Sequence, residues 1–266
     1  MTLLIEPQSD LRRRPEPRMN TDKHGFFRRK SFAILNTIHS YLCPSVSICG
    51  FNFLFTLALF AATTCPAEET LFEDNFISGL GKGWSWVREH REGWRVTDRG
   101  LEVRIEPGNM WGPANNARNV LVRPAPDAAR DEIEMSVNVE NKPTEQYEQV
   151  DLVWYYDDSH MVKLGQEQVD GKLSIVMGRE EKDRTRTIAI IPLDSFSVRL
   201  RFIVKDNRIR GQFRTPGAND WRDAGECDLP APAGGKAQIS LQCYQGPANA
   251  ERWARITEFR VLRAAK

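Results

Sequence analysis

Histidine and cysteine are scarce in this chain. Its 266 residues include 4 His and 5 Cys. Beyond residue 67 only His90, His160, Cys227 and Cys243 remain. Two cysteines cannot build the paired C-x-x-C arrangement of a structural zinc site. Two histidines far apart in sequence make a poor transition-metal set. Both read as surface residues, His90 inside Arg88-Glu89-His90-Arg91 and His160 beside Asp157-Asp158-Ser159. Neither lies near the Gly-x-Ser-x-Gly elbow of a serine hydrolase. A charge excess is also lacking. With 37 Lys and Arg against 36 Asp and Glu the net charge is +1, which excludes a broad basic face for nucleic acid. Gly79-Leu80-Gly81-Lys82-Gly83 lacks the helix and Ser/Thr of a phosphate loop. No segment beyond residue 67 keeps a helical period over 11 residues. No linker, repeat or low-complexity tract interrupts it.

What is present divides at residue 67. The first 30 residues are basic, from Arg12-Arg13-Arg14 to Arg28-Arg29-Lys30. The apolar run 51–62 follows (FNFLFTLALFAA), then Cys65-Pro66-Ala67 before Glu68-Glu69. A basic region, a short apolar region and a small residue at the cut define a secretory signal. The expectation is cleavage after Ala67 and a mature domain over 68–266, secreted or extracytoplasmic. An uncleaved anchor over 45–62 is the alternative. Membrane association is expected only in that case. All 7 Trp fall in the mature part. Outside the cytoplasm Cys227 and Cys243 could be bridged or stand as two buried thiols.

The mature part alternates apolar and polar residues, the signature of strands. Ile133, Met135, Val137 and Val139 share one side of a strand. Leu152 and Trp154 share another with Val150 and Tyr156. Val198, Leu200, Phe202 and Val204 share a third. Turn sequences separate the runs, among them Asp157-Asp158-Ser159, Asp170-Gly171 and Lys205-Asp206-Asn207. Many short strands at near-regular spacing predict one all-β, antiparallel, two-sheet jelly-roll sandwich. The predicted core is Leu152, Trp154, Val162, Leu164, Val198, Leu200, Phe202, Ile239 and Leu241.

The order of features also resembles a known family. Leu71-Phe72-Glu73-Asp74-Asn75-Phe76 precedes Trp84-Ser85-Trp86-Val87-Arg88 and Trp94-Arg95-Val96. Gln149-Val150-Asp151-Leu152 leads into Tyr155-Tyr156-Asp157-Asp158 and Lys163-Leu164-Gly165-Gln166-Glu167. Over 70–264 this resembles the concanavalin A-like domains that include the yeast regulation-of-enolase protein. It is similar also to the sandwich domain at the C-terminus of family 43 β-xylosidases. The resemblance implies a two-sheet jelly roll and assigns no reaction, since fold does not fix function. In those families glycine is common where Asp151 stands.

For catalysis, glycoside hydrolysis needs two carboxylates facing one cleft. Glu132, Glu134 and Glu140 share one strand face without the spacing of catalytic members of this fold, and read as a solvated face. Glu73 and Asp74 could offer oxygen ligands to a structural calcium, but no Asp-x-Asp-x-Asp loop supports them; no other cofactor is expected. A sugar presents apolar C–H faces and a hydroxyl rim, so its binder needs aromatic planes beside amides and charges. Trp86, Arg88, Asp151, Tyr155, Lys163, Glu167 and Gln242 supply that set if they share one concave sheet face. The expected function is a non-catalytic carbohydrate-binding domain whose partner is a polysaccharide or glycan. The alternatives are an extracytoplasmic glycosidase using Asp151 or Glu167 as acid/base, and an envelope domain that binds another protein.

Overall fold

The computed structural model describes residues 68–232 and 234–264, so the leader and its cleavage point lie outside the described residues. The strands are β1 (Glu69–Asp74), β2 (Ser85–Val87), β3 (Trp94–Thr97), β4 (Gly100–Arg104), β5 (Val120–Pro124), β6 (Ile133–Glu140), β7 (Gln149–Asp157) and β8 (His160–Val169). They continue with β9 (Lys172–Glu181), β10 (Arg184–Pro192), β11 (Ser197–Lys205), β12 (Arg208–Arg214), β13 (Arg222–Asp228), β14 (Gln238–Tyr244) and β15 (Trp253–Arg263). A single 3-10 turn, Arg91–Gly93, is the one helical element among the described residues. No helix there is long and apolar enough to cross a membrane.

Two antiparallel sheets result. One runs β13-β12-β11-β6-β15-β4-β3, with β1 added on β15. The other runs β10-β9-β8-β7-β14-β5-β2. Tight hairpins connect β7 through β10. Asp170-Gly171 and Lys182-Asp183 turn with φ of 48°, 72°, 54° and 58°, the left-handed pairs that match the twist of the flanking strands.

The inner faces meet in one core that contains all nine predicted core residues. Register explains the match. Leu152 pairs with Leu164 and Leu241, and Trp154 with Val162 and Ile239, so each row of side chains points the same way across three strands. Leu200 pairs with Val137 and Phe213 in the opposing sheet. Trp84, Trp86, Trp94, Phe72, Phe76 and Phe259 close one end of this core, with Trp84 and Phe259 ring centroids 5.0 Å apart. Cys227 on β13 and Cys243 on β14 belong to different sheets and are free, buried thiols. Burial pushes the Cys227 thiol up to about 11 and the Cys243 thiol higher still.

Candidate functional site

The outer face of the β7–β8–β14 sheet carries a second, smaller apolar cluster. It contains Met110, Ala117, Val120, Val122, Val153, Tyr155, Met161 and Tyr244. Val153, Tyr155, Met161 and Tyr244 alternate with inner-core residues on their strands. Met110 and Ala117 come from the 105–119 connection between β4 and β5, which therefore lies across this face. Its pins are specific. The Gly112 N–H donates to Glu180 Oε2 at 3.0 Å. The Asn115 amide donates to Asp183 Oδ1 at 3.2 Å and Ser159 Oγ at 3.4 Å. The Ala117 carbonyl accepts from Arg88 Nε at 2.6 Å. Trp111 rests on Gly178, where any Cβ would overlap the indole.

Beside this strap lies a cavity of about 490 Å³. Gln149, Lys163 and Glu167 line it from the sheet, with Trp111 from the strap and Tyr147 from the turn before β7. Lys163 Nζ donates to Glu167 Oε2 at 2.9 Å and to Gln149 Oε1. The same ammonium sits 4.8 Å from the Trp111 ring centroid, within cation–π range. A lysine only 2% exposed is tolerable here because its ammonium meets two acceptors and an aromatic face. Tyr147 is 47% exposed.

Asp151 lies within the same face, wholly buried. Gly165 stands opposite it on β8, and a Cβ at Gly165 would overlap the carboxyl. The glycine thus makes the recess that the carboxyl fills. It also leaves the gap over which Lys163 and Glu167, four residues apart on one strand, reach each other. Neither Asp151 oxygen makes a hydrogen bond of good geometry. Burial raises Asp151 to about 7; Lys163 opposes the rise, and Glu167 adds to it. Glu180 is likewise raised to about 7 by burial, opposed first by its Gly112 hydrogen bond.

The seven predicted site residues do not form one face. Lys163 and Glu167 line the open cavity. Asp151 and Gln242 share its sheet face but are both 0% exposed, so they lie under the surface instead of on it. Tyr155 and Arg88 form a separate knot: Tyr155 Oη donates to Asp158 Oδ1 at 2.7 Å, and Arg88 grips Asp158 through two nitrogens at 2.6 and 3.1 Å. The strap residues Met110 and Ala117 pack with Tyr155, so it is no stacking plane.

Trp86 departs from the expected binding face. It packs into the core between the sheets, 5.0 Å from Trp94, and not on the outer face. The expected alternation Trp84, Trp86, Arg88 fails at Arg88, whose φ of 54° breaks the extended backbone. His160 likewise departs from the expected surface position. It is 7% exposed and bonded to Asp157 Oδ1 at 2.8 Å, not a surface residue.

Trp111 and Tyr147 join the site without a sequence signal. Each sits outside a strand, where alternation says nothing of facing. The calcium pair fares poorly as a ligand set. Asp74 already accepts from the N–H groups of Phe76 at 2.8 Å and Gly81 at 2.7 Å and from Trp84 Nε1 at 3.1 Å. Glu73 pairs with Arg260 at 3.5 Å. Among the described residues no group of three or more His, Cys, Asp and Glu could hold a metal ion.

Two antiparallel sheets packed face to face, with a cleft on the outside of one, define a concanavalin A-like sandwich. The chain belongs to the family of β-xylosidase C-terminal concanavalin A-like domains, whose model matches residues 73–231. Among solved structures it is similar to a GH43 protein of Bacillus licheniformis, with 17% identity and a TM-score of 0.64 over 72% of this chain and 39% of that one. A xylan β-1,4-xylosidase from Bacillus halodurans gives 16% identity and a TM-score of 0.62 over 71% of this chain and 38% of that one. This chain thus spans well under half the length of either enzyme. A Saccharomyces cerevisiae protein gives 15% identity and a TM-score of 0.50, with 69% of this chain and 97% of that one covered. No curated protein matches the sequence.

Proposed function

We propose that residues 68–266 are an exported, non-catalytic carbohydrate-binding domain. The observation that carries this reading is the exposed Tyr147 ring beside the Gln149–Lys163–Glu167 cluster in one cavity. A pyranose could lie against the phenol ring, over a floor in which Gln149, Lys163 and Glu167 are largely buried and bonded to one another, so that its hydroxyls meet the outer edge of that polar cluster. Membership of a family named for the C-terminal domain of β-xylosidases supports a ligand of the same chemistry.

The binding test is migration of the protein through native gels containing soluble neutral polysaccharides: xylan, arabinan and mixed-linkage glucan. Retardation by at least one is expected. Tyr147→Ala should weaken that retention about tenfold, the value of one aromatic contact near 1.4 kcal/mol. Its melting temperature should stay nearly unchanged, because Tyr147 is an exposed side chain. Free migration in every gel would refute the reading. For export, N-terminal sequencing of the secreted protein is expected to begin at Glu68. A sequence starting before Phe51 would refute removal of the leader.

A glycosidase is the second reading, favoured by one observation: Asp151, raised to about 7, shares a sheet face with Glu167. A buried carboxyl pushed up beside a second carboxyl is one mark of an acid/base site. A general acid must also come within hydrogen-bond reach of the substrate oxygen. Asp151 is enclosed on all sides, and its shift follows from that enclosure. The binding reading therefore fits the geometry better.

A further inference from the structure

The cavity floored by Lys163 has a neighbour. Asn109, Tyr147 and Gln245 line it, and the same three residues line a second cavity of about 750 Å³. The second cavity continues along Glu145, Asn116 and the segment from Gly246 to Asn249. We propose that the two are contiguous subsites for one linear, neutral oligosaccharide, which crosses the Tyr147 ring. This rests on the carbohydrate reading and adds to it the length and charge of the ligand.

Three observations lead there. The first is the shared boundary. Each cavity is in the size range that holds a drug-sized ligand, more than one pyranose needs, and the two meet at a half-exposed aromatic ring. The second is the backbone at that boundary. Tyr147 and Gln245 both hold left-handed conformations, φ 67° and 61°. Such residues cost stability and persist only where surrounding bonds fix them. Here the Tyr147 N–H donates to the Gln168 carbonyl at 2.8 Å, and the Gln149 amide donates to the Tyr147 carbonyl at 2.8 Å. The Gln245 N–H donates to the Gly108 carbonyl at 3.1 Å. Gln245 thus holds its place on the lining of both cavities by its backbone.

The third observation is charge. Among the described residues Lys163 is the only Lys or Arg that lines either cavity, and Glu167 already pairs with it. Asp170 and Glu145 remain as acidic groups on the two linings. A uronic acid or sulfated chain would meet net negative charge there, whereas a neutral chain carries no charge to be repelled.

The test is calorimetric titration of the full chain with xylo-, cello- and arabino-oligosaccharides of one to six units, beside trigalacturonic acid. Affinity for one neutral series is expected to rise at least tenfold between one unit and four. Trigalacturonic acid should bind at least tenfold more weakly than its neutral counterpart in length. Asn249→Ala, which alters the second cavity alone, should weaken the longer members about threefold and leave the disaccharide unchanged. Tyr147→Ala should weaken every length and Tyr147→Phe should restore it, which separates loss of the ring from loss of the fold.

Equal affinity for one unit and six would overturn the two-subsite proposal while leaving carbohydrate binding intact. Preference for trigalacturonic acid would overturn the neutral-ligand assignment. Failure of every oligosaccharide to bind, by a chain that melts cooperatively, would overturn both this proposal and the carbohydrate reading beneath it.

Discussion

Asp151→Asn is expected to make the domain more stable at pH 8 and to flatten its pH profile. The sign follows from the direction in which the carboxyl is pushed. Burial raises it to about 7 in the folded chain, whereas an unfolded aspartate titrates near its ordinary value of about 3.9. Between those two values the folded chain keeps a proton that the unfolded chain has released. Stability therefore falls as pH rises through this window, and the loss is complete above about 7. A rise of that size corresponds to about 4 kcal/mol. Asparagine keeps the shape and cannot ionise. Urea unfolding at pH 5 and pH 8 should show a smaller difference for the variant than for the parent. A variant less stable than the parent at pH 8 would mean that Asp151 is an ionised partner of Lys163. Glu180, also raised to about 7, acts in the same direction, so the variant's profile should retain a residual slope.

Trp86→Ala is expected to lower stability by about 3 kcal/mol and to leave the affinity of the folded protein for glycans unchanged. The indole packs between the sheets against Trp94, so its removal opens a cavity in the core. The measurement is thermal melting beside affinity electrophoresis at a temperature where the variant is fully folded. Loss of glycan retention with an unchanged melting temperature would put Trp86 in a binding surface after all.

The contrast between Trp86 and Leu200 indicates what the sequence can carry. Alternation along β11 names the buried face because Val198, Leu200, Phe202 and Val204 all fall on one side of Ser197–Lys205. The same rule places Trp84 and Trp86 together correctly, but an aromatic alternating with polar residues suits a core or a binding face equally. Only the neighbours decide, and those are Phe72 and Trp94 on flanking strands and Phe259 from the far end of the chain. The strand β13 has little apolar signal of its own. Its inward residues are Ala224 and Cys227, and Gly225 holds a φ of 113° beside a register shift against β12.

The cleft is legible in part. Counting in twos puts Lys163 and Glu167 on one sheet face. It cannot place Tyr147 and Trp111, because their positions depend on a left-handed turn and on a strap that crosses several strands. For Asp151 the alternation gives the face but not the depth. Depth comes from Gly165 on the adjacent strand and from Lys163, Glu167 and Tyr244 around the carboxyl, and no local pattern announces that enclosure.

The strap has a consequence for motion. Its anchors are Glu180, near the end of β9, and Asp183, in the turn between β9 and β10, and Gly178, beneath Trp111, belongs to the same hairpin. One wall of the cleft is therefore not an independent flap. Lifting it means giving up contacts to a paired ribbon whose own amides are locked in the sheet, and regions tied in this way open with the cooperative unit that holds them. Amide exchange in residues 109–116 should then be governed by the fluctuations of the β9–β10 ribbon, not by the length of the connection that carries them.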